Sequence, residues 1–483
     1  MKIHLRPAWP VPVLFAGLAG LSYALHFNGL YGQDAHEYLR QSGVLFDRLH
    51  GLPAAPDGLG DAEIAGGYPL AGALLQLFGF SPIPALQVVS WLGAAAAFWF
   101  FELNLRLLSP GARAESRWVF GALGLALAPF FVRAGLTVMS DALGLALGLG
   151  ALFCGLQAIE RQKNHYGIAF AVLAAFAVTT RYALAVLLAL PALALALEWW
   201  RERRFGWLCT AVLAGGVALL PLWWIKSGAP RSPLEHSLLQ DWSLLNLFKS
   251  TFSQVSGTVT YTLPNGIYLL YPLMHPGFCL TLPCLILLAK RTDIALYVKR
   301  LLFLSMLMYL LLLGGLAHQN HRYLLPAYAV LLLLFFPAWD RFFAYGLYFF
   351  RRLAYFILGV IMACQVFFTT RILAPTLERH HLEREIAAAL HTRLPPHAEV
   401  YAFDLDIALQ TYLPDIEFHN LWAQRYDVFP SGSFILFNAP KLQAQWAGKN
   451  PMLNWKYACT HYNLKEIKNL RDGWTLYQVM NPM

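Results

Sequence analysis

Apolar stretches of about 20 residues recur through most of this 483-residue chain, and that is the length a helix needs to cross the hydrocarbon core of a membrane. Hydrophobic residues make up 58% of the chain and charged residues only 13%. Soluble domains carry about 25% charged residues. The sequence therefore predicts an all-α polytopic membrane protein.

Hydropathy and length place about eleven spanning helices along the chain. They are predicted at residues 10–29, 83–105, 118–133, 138–158, 166–180, 183–199, 206–225, 265–289, 301–316, 323–338 and 353–370. The stretch 166–199 is divided in two because a single helix of that length would measure about 50 Å, which is too long to cross the membrane once. Basic segments, ERQKN and WWRERR, flank it on both sides. A hairpin is therefore expected, with its turn near residues 179–182.

Lysine and arginine residues of the short loops concentrate on one side of this topology, for example at Lys2, Arg113, Arg117, Arg161 and Lys163. The positive-inside rule places that side, and with it the N-terminus, in the cytoplasm. Residues 1–28 could also be a signal peptide, but the long apolar run and the polytopic chain that follows favour an uncleaved first helix. An odd number of crossings then places the C-terminal segment outside.

Two domains are predicted from the change in polarity near residue 370. Residues 1–370 form the transmembrane domain, and its outer loops 31–82 and 226–264 contain stretches expected to lie in the membrane plane. Residues 371–483 are far more polar. Within them AEVYAF, SGSFILFN and GWTLYQV are typical of short strands, and DIALQTYL is typical of a helix. A small α/β C-terminal domain on the outer face is expected.

The net charge of +9 is explained by the cytoplasmic loops of a membrane protein, and no basic patch with interleaved aromatic residues indicates nucleic-acid binding. The six cysteines show no CxxC spacing, which gives no sign of a metal site or a disulfide framework.

The segment GQDAHEYLR follows the first apolar run directly and places Asp34 at the head of an amphipathic stretch. Asp34 and Glu37 have the spacing of a capping box, with Asp in place of the usual Ser or Thr. A carboxylate at a membrane surface is also a suitable general base, and the two roles are compatible. Asp141 either caps the helix at 138–158 or is a second acid that orients an acceptor or Arg133.

The segment HQNHRYLLP places His318, His321 and Arg322 at the outer end of a predicted span. Snorkelling cations are common there, but the arginine fork also matches phosphate oxygens and histidine can add a donor. Arg181, at the predicted hairpin turn, is a further candidate phosphate ligand. His318 and His321 could hold a metal, but no further ligands are visible nearby, so no metal site is predicted. Asp57 and Asp61 lie in a segment rich in glycine and proline, where aspartate is a common turn residue, so no function is assigned to them.

Six segments occur in one order along the chain: GQDAHEYLR, GYPLAGALLQLFG, VRAGLTVMSDALGLALGLGALF, TTRYALAVLLALPALAL, GIYLLYPLMHPGF and HQNHRYLLPAYAVLLLL. With them the chain resembles the GT-C superfamily of membrane glycosyltransferases. The pattern is similar to glycosyltransferase family 39 and its bacterial relatives, which include protein mannosyltransferases and the lipid A aminoarabinose transferase.

The resemblance implies a polyprenyl-phosphate-linked sugar as donor and an inverting transfer on the outer, periplasmic face. It implies that Asp34 is the catalytic acid of the first outer loop and that Arg181, His321 and Arg322 lie near the donor phosphate. Many relatives have an Asp-Glu pair where this chain has Asp34-Ala35, so the role of Glu37 as a second acid stays open. Some GT-C enzymes need a divalent cation, such as Mg²⁺ or Mn²⁺, and others do not.

The acceptor expected from this resemblance is a lipid, a glycan or a protein, and the expected location is the inner membrane of a bacterium. Two other functions would use the same basic residues on the outer face to bind their substrates. A lipid or sugar transporter or flippase would place functional polar residues near the bilayer midplane, and few are found there. A lipid-linked glycan ligase would share the chemistry but use a larger donor.

Overall fold

The structure is a computed structural model that describes residues 10–52, 64–226, 237–254, 257–278, 294–349 and 351–483. Among these residues, seven helices are long and apolar enough to cross a membrane, and a bent helix pair gives an eighth span if it is counted as one. The chain is therefore a multi-pass helical membrane protein, as the apolar runs predicted. The predicted total of about eleven spans is not confirmed.

The helices up to residue 391 follow the predicted spans with a few differences. In chain order they are α1 (Pro10–Ala24), α2 (Gly32–Leu49), α3 (Gly67–Gln76), α4 (Pro82–Leu108), α5 (Ala114–Gly121), α6 (Pro129–Leu136), α7 (Asp141–Arg161), α8 (Asn164–Thr180), α9 (Leu184–Arg201), α10 (Phe205–Lys226), α11 (Ser237–Gln240), α12 (Asn265–Tyr268), α13 (Tyr271–Met274), α14 (Leu296–Gly315), α15 (Leu325–Phe349) and α16 (Arg351–His391).

The predicted span at 118–133 is not one straight helix. Helix α5 continues into a π-helical turn at Ala122–Ala126, and α6 then starts at Pro129, bent by 70° from the preceding segment. Proline lacks the N–H that would continue the helix and restricts the residue before it. The bend places α6 and its Arg133 in a separate short helix.

The predicted span at 265–289 is wrong at its start. The described part contains only the two single turns α12 and α13, because Pro272 and Pro276 interrupt the helix. Residues 279–289 lie outside the described part of the chain.

The predicted hairpin within 166–199 is confirmed, since α8 ends at Thr180 and α9 begins at Leu184. The hydroxyls of Thr179 and Thr180 both donate to the carbonyl of Phe176, each at 2.8 Å. Arg181 then leaves the helix in an extended conformation. Arg181, the candidate phosphate ligand predicted from the sequence, therefore lies at the turn of this hairpin.

Helix α7 is largely buried among other helices, and glycines allow α4 to approach it closely. A methyl group built on Gly93 of α4 would lie 2.7 Å from the backbone nitrogen of Leu143, within the first turn of α7. Real Cβ contacts this short do not occur, so the position requires glycine. The first turn of α7 is thus held against α4 by backbone contact.

The chain divides into two compact units. The first consists of Met1–Gly29, Gln41–Phe248 and Leu263–Leu373. The second consists of Leu30–Arg40, Lys249–Thr262 and Ala374–Met483. The second unit therefore contains two segments outside the predicted C-terminal domain of 371–483: the first turns of α2, and a hairpin of β1 (Thr251–Gln254) and β2 (Gly257–Thr260).

The second unit is built on a five-stranded mixed sheet with the order β4-β3-β5-β7-β6. Its elements are β3 (Glu399–Ala402), α17 (Asp406–Tyr412), β4 (Glu417–Asn420), β5 (Phe434–Phe437), α18 (Ala439–Trp446), α19 (Asn450–His461), β6 (Tyr462–Asn469) and β7 (Thr475–Pro482). The three strands and the helix predicted from sequence are confirmed as β3, β5, β7 and α17. Strand residues alternate between two apolar cores, with Val400 and Leu436 in one and Tyr401 and Ile435 in the other.

A buried carboxyl in this unit gives a prediction about stability. Asp406 is 4% exposed and accepts a hydrogen bond of 2.6 Å from the amide of Asn420. Burial raises the pKa of Asp406 to about 6, so the folded state binds this proton more tightly than the unfolded state. The resulting stabilisation of the folded state is complete below the pKa that Asp406 has in the unfolded state. It is lost as the pH rises through the pKa that Asp406 has in the folded state.

We therefore expect Asp406→Asn to stabilise the protein at pH 8, by up to about 3 kcal/mol, and to have much less effect at pH 4. Thermal unfolding of both proteins at the two pH values measures this difference. An equal shift at both values would show that the charge of Asp406 does not limit stability.

Candidate active site

Asp141 is the first residue of α7 and lies beyond the short turn that follows α6. Its side chain is only 2% exposed. A carboxylate in the first turn of a helix is favoured by the helix dipole, but a buried charge also needs a partner. The structure supplies arginines from other parts of the first unit.

Arg181, at the turn between α8 and α9, donates from Nη1 to Asp141 Oδ1. Arg322 lies in a single 3₁₀ turn, His321–Leu324, and its Nη1 is 3.8 Å from Asp141 Oδ2. Arg133 of α6 also attracts the Asp141 carboxylate. Two of the predicted phosphate ligands, Arg181 and Arg322, therefore meet the predicted second acid at one place.

Neighbouring groups fix the orientation of both arginines. The guanidinium of Arg181 lies 4.8 Å from the ring centroid of Tyr323, a cation–π contact. The side chain of Asn320 accepts from the backbone N–H of Arg322 at 3.2 Å and from its Nε at 3.3 Å. Both guanidinium groups are thus ordered before a ligand binds, which lowers the conformational entropy lost on binding.

The cluster carries more positive than negative charge, because three arginines surround one carboxylate. A small cavity opens onto it, lined by Phe130, Arg133, Ala134, Thr137, Asp141, Arg322 and Leu325. Arginine forks bind phosphate oxygens in a bidentate manner. The arrangement is therefore suited to an anion, with Asp141 holding the guanidinium groups in place.

His321 is fixed by ring stacking beside this cavity. Its ring is nearly parallel to those of Phe130 and Tyr271, at centroid distances of 5.2 and 5.1 Å. His275 lies 5.1 Å away and accepts at Nδ1 from the backbone N–H of Gly277. Burial lowers the pKa of His275, which suits that acceptor role. The stack holds His321 next to Phe130, a residue that also lines the cavity.

His318 is less closely connected to the cluster. Its described ring contact is with the edge of Tyr323, at 6.4 Å between centroids. Tyr323 also carries the cation–π contact of Arg181. The proposed phosphate role of His318 stays a prediction.

Asp34 and Glu37 belong to the second unit. Helix α2 starts at Gly32, which has a φ of +62°, so Asp34 lies in the first turn and not at the N-cap position. Its side chain is exposed. Glu37 accepts from Arg40 at 2.8 and 2.6 Å. The catalytic role of Asp34 remains a prediction.

Two residues of this region were not among the predicted site residues. Arg133 was expected only as a group that Asp141 could orient, and the break at Pro129 that brings α6 beside Asp141 was not predicted. His275 lies in the segment GIYLLYPLMHPGF, which was interpreted as part of a span. Proline at 272 and 276 was the signal that this segment is not a regular helix.

One group of potential metal ligands occurs in the described part of the chain, at Glu399, Glu417 and His419 of the second unit, with ligand atoms within 4.8 Å of one another. It lies on the neighbouring strands β3 and β4 and includes none of the predicted site residues. Asp57 and Asp61 lie outside the described residues.

Two crystal structures share this architecture. ArnT from Cupriavidus metallidurans bound to undecaprenyl phosphate aligns with a TM-score of 0.65 and 13% identity, covering 98% of this chain and 98% of that one. The apo state of the same protein gives 0.64 and 14%, covering 96% and 97%. The chain matches no protein-family model and no curated relative. The likeness shows that the chain has the fold of these ArnT structures, as expected from the resemblance.

Proposed function

We propose that this protein is an integral membrane glycosyltransferase that moves a sugar from a polyprenyl-phosphate donor to a lipid, glycan or protein acceptor. The transfer takes place on the outer, periplasmic face of a bacterial inner membrane and inverts the anomeric centre. The N-terminus is cytoplasmic and the C-terminal domain periplasmic.

One observation carries the proposal: three arginines surround one buried carboxylate in a fold whose ArnT representative binds undecaprenyl phosphate. A lipid phosphate is an anion of the size and geometry that two or three guanidinium forks accept. The net positive charge of the cluster favours such a ligand. The apolar helices around the cluster suit the hydrocarbon part of the donor.

In the proposed mechanism Asp34 accepts the proton of the acceptor hydroxyl as that oxygen attacks the anomeric carbon. The bond between this carbon and the phosphate oxygen breaks, and the bonding electrons leave with the polyprenyl phosphate. Arg181 and Arg322 stabilise the charge that develops on the departing phosphate, and His321 can donate a hydrogen bond to it. A single displacement of this kind inverts the configuration.

The proposal predicts that the purified protein releases free polyprenyl phosphate from a polyprenyl-phosphate monosaccharide when acceptor is present. Thin-layer or mass-spectrometric detection of the released lipid measures this. Arg322→Gln is expected to reduce the release roughly 10- to 100-fold through weaker donor binding, because a hydrogen bond to a charged group contributes about 1.5–3 kcal/mol.

Two outcomes would assign the protein to another class. Movement of the intact donor across a vesicle bilayer without release of lipid phosphate would identify a flippase or transporter. Release only from donors that carry an oligosaccharide would identify a lipid-linked glycan ligase.

Repeating the assay with EDTA and then with Mg²⁺ or Mn²⁺ determines whether a divalent cation takes part.

A further inference from the structure

A fully buried histidine lies in the segment that carries Asp34. His36 and Glu383 are both 0% exposed, and His36 Nε2 is 3.2 Å from Glu383 Oε2. His36 Nδ1 is 3.0 Å from the hydroxyl of Thr411 on α17. The ring of Tyr412 packs edge-on against the imidazole at 5.4 Å. All four residues belong to the second unit.

Both ring nitrogens of His36 have hydrogen-bond partners. The Thr411 hydroxyl, next to Nδ1, also lies within hydrogen-bond distance of the carbonyl of Ile407. Glu383 Oε1 accepts from Arg379 Nε at 2.6 Å, which favours the ionised carboxylate, and Glu383 Oε2 accepts from the Nε2–H of His36. The imidazole is thus fixed between Thr411 and Glu383.

The contact between His36 and Glu383 continues into a series of ion pairs. Arg379 donates to Asp404 Oδ2 at 2.9 Å, and Lys441 of α18 donates to the same oxygen at 2.8 Å. The order from α2 outward is therefore His36, Glu383, Arg379, Asp404 and Lys441. Removing Glu383 from this series would leave His36 without its carboxylate partner and Arg379 with Asp404 alone.

Glu383 also binds the backbone at the start of α2. Its Oε1 accepts from the N–H of Gly32 at 2.9 Å, one of the first amides of the helix, which have no partner within it. Two residues further back, the carbonyl of Leu30 accepts from Nδ1 of His380 at 2.9 Å. Neighbouring residues of α16 thus hold the chain on both sides of the helix start, and Asp34 follows Gly32 by two residues.

We propose that Glu383, acting through His36 and Gly32, is a positioning residue that sets the orientation of the Asp34 carboxylate. This inference rests on the proposed function, in which Asp34 is the general base. Glu383 fixes the first turn of α2 at the backbone, through Gly32, and at a side chain one turn further on, through His36. The exposed carboxylate between them is then carried on a turn with little freedom to rotate.

The test compares Glu383→Gln with a matched control on the same helix. Glu385→Gln removes a charge that forms an exposed ion pair with Arg471 at 3.1 Å, and such pairs contribute little. We expect Glu383→Gln to lower kcat roughly 10- to 100-fold, the size of effect that a small misplacement of a catalytic group produces. The donor KM should change less than about twofold, and Glu385→Gln should behave as wild type.

Amide hydrogen exchange of residues 32–38, followed by mass spectrometry, gives a readout independent of turnover. Faster exchange in Glu383→Gln than in Glu385→Gln, with unchanged exchange in the strands β3 and β5, supports the proposal. Wild-type kcat, or unchanged exchange at 32–38, overturns it. If wild-type protein releases no lipid phosphate, the proposed function fails, while the exchange result still decides whether Glu383 orders the start of α2.

Discussion

Replacing Asp34 by asparagine is expected to lower turnover by roughly 10³-fold, within the range that removal of a general base produces. Asparagine has nearly the same volume but cannot accept the proton of the acceptor hydroxyl. Asp34 is exposed in the first turn of α2, so the fold should tolerate the change. Donor binding, measured as protection of the protein by polyprenyl phosphate in thermal unfolding, should be retained.

The matched control for this variant is Asp47→Asn, which removes the same charge from the same helix, about three and a half turns further along. It should leave turnover and thermal stability near the wild-type values. Turnover by Asp34→Asn within a few-fold of wild type would remove Asp34 from the mechanism, and Glu37, which is paired with Arg40, would be the next acid to replace.

Replacing Arg181 by alanine is expected to destabilise the protein by about 3–5 kcal/mol, as the loss of one partner from a buried ion pair typically does. The variant leaves the Asp141 carboxylate, 2% exposed, with Arg322 at 3.8 Å as its nearest described cation. Thermal unfolding in detergent measures the loss. Wild-type stability would show that Arg322 and Arg133 are sufficient partners for Asp141.

A double variant separates this structural effect from a role in donor binding. Arg181→Met with Asp141→Leu removes both charges, keeps the net charge of the cluster and fills similar volumes. Stability should largely return, because buried pairs can be replaced by apolar residues at little cost. Turnover should stay low, because a phosphate ligand is missing. Recovery of both properties would mean that Arg181 serves only to neutralise Asp141.

Local patterns were sufficient to predict several parts of the fold. The basic flanks of 166–199 required a hairpin, and the turn lies where Arg181 was expected. In the polar C-terminal part, the apolar strand segments and the DIALQTYL helix were recognisable because each is bounded by turn residues. Strands β4 and β6 were missed because EFHN and YNLKEIKN carry too many polar residues to resemble strands.

Contacts between distant parts of the chain could not be predicted in this way. Asp141 and Arg181 are separated by 40 residues, and His36 and Glu383 by 347. The sequence singled out Asp141 and Arg181, but it did not show that they pair. His36 was overlooked beside Asp34, although it forms a buried pair with Glu383 within the second unit.

Gly93 lies in the apolar contact between α4 and α7, and it affects the arginine cluster although it carries no charge. Its missing side chain allows α4 to touch the backbone of Ala142 and Leu143, the residues directly after Asp141. A single added methyl group would push the start of α7 outward and alter the separation of Asp141 from Arg181. Replacing Gly93 by alanine is therefore expected to disturb the arginine cluster, although inspection of the polar residues alone would not select this position.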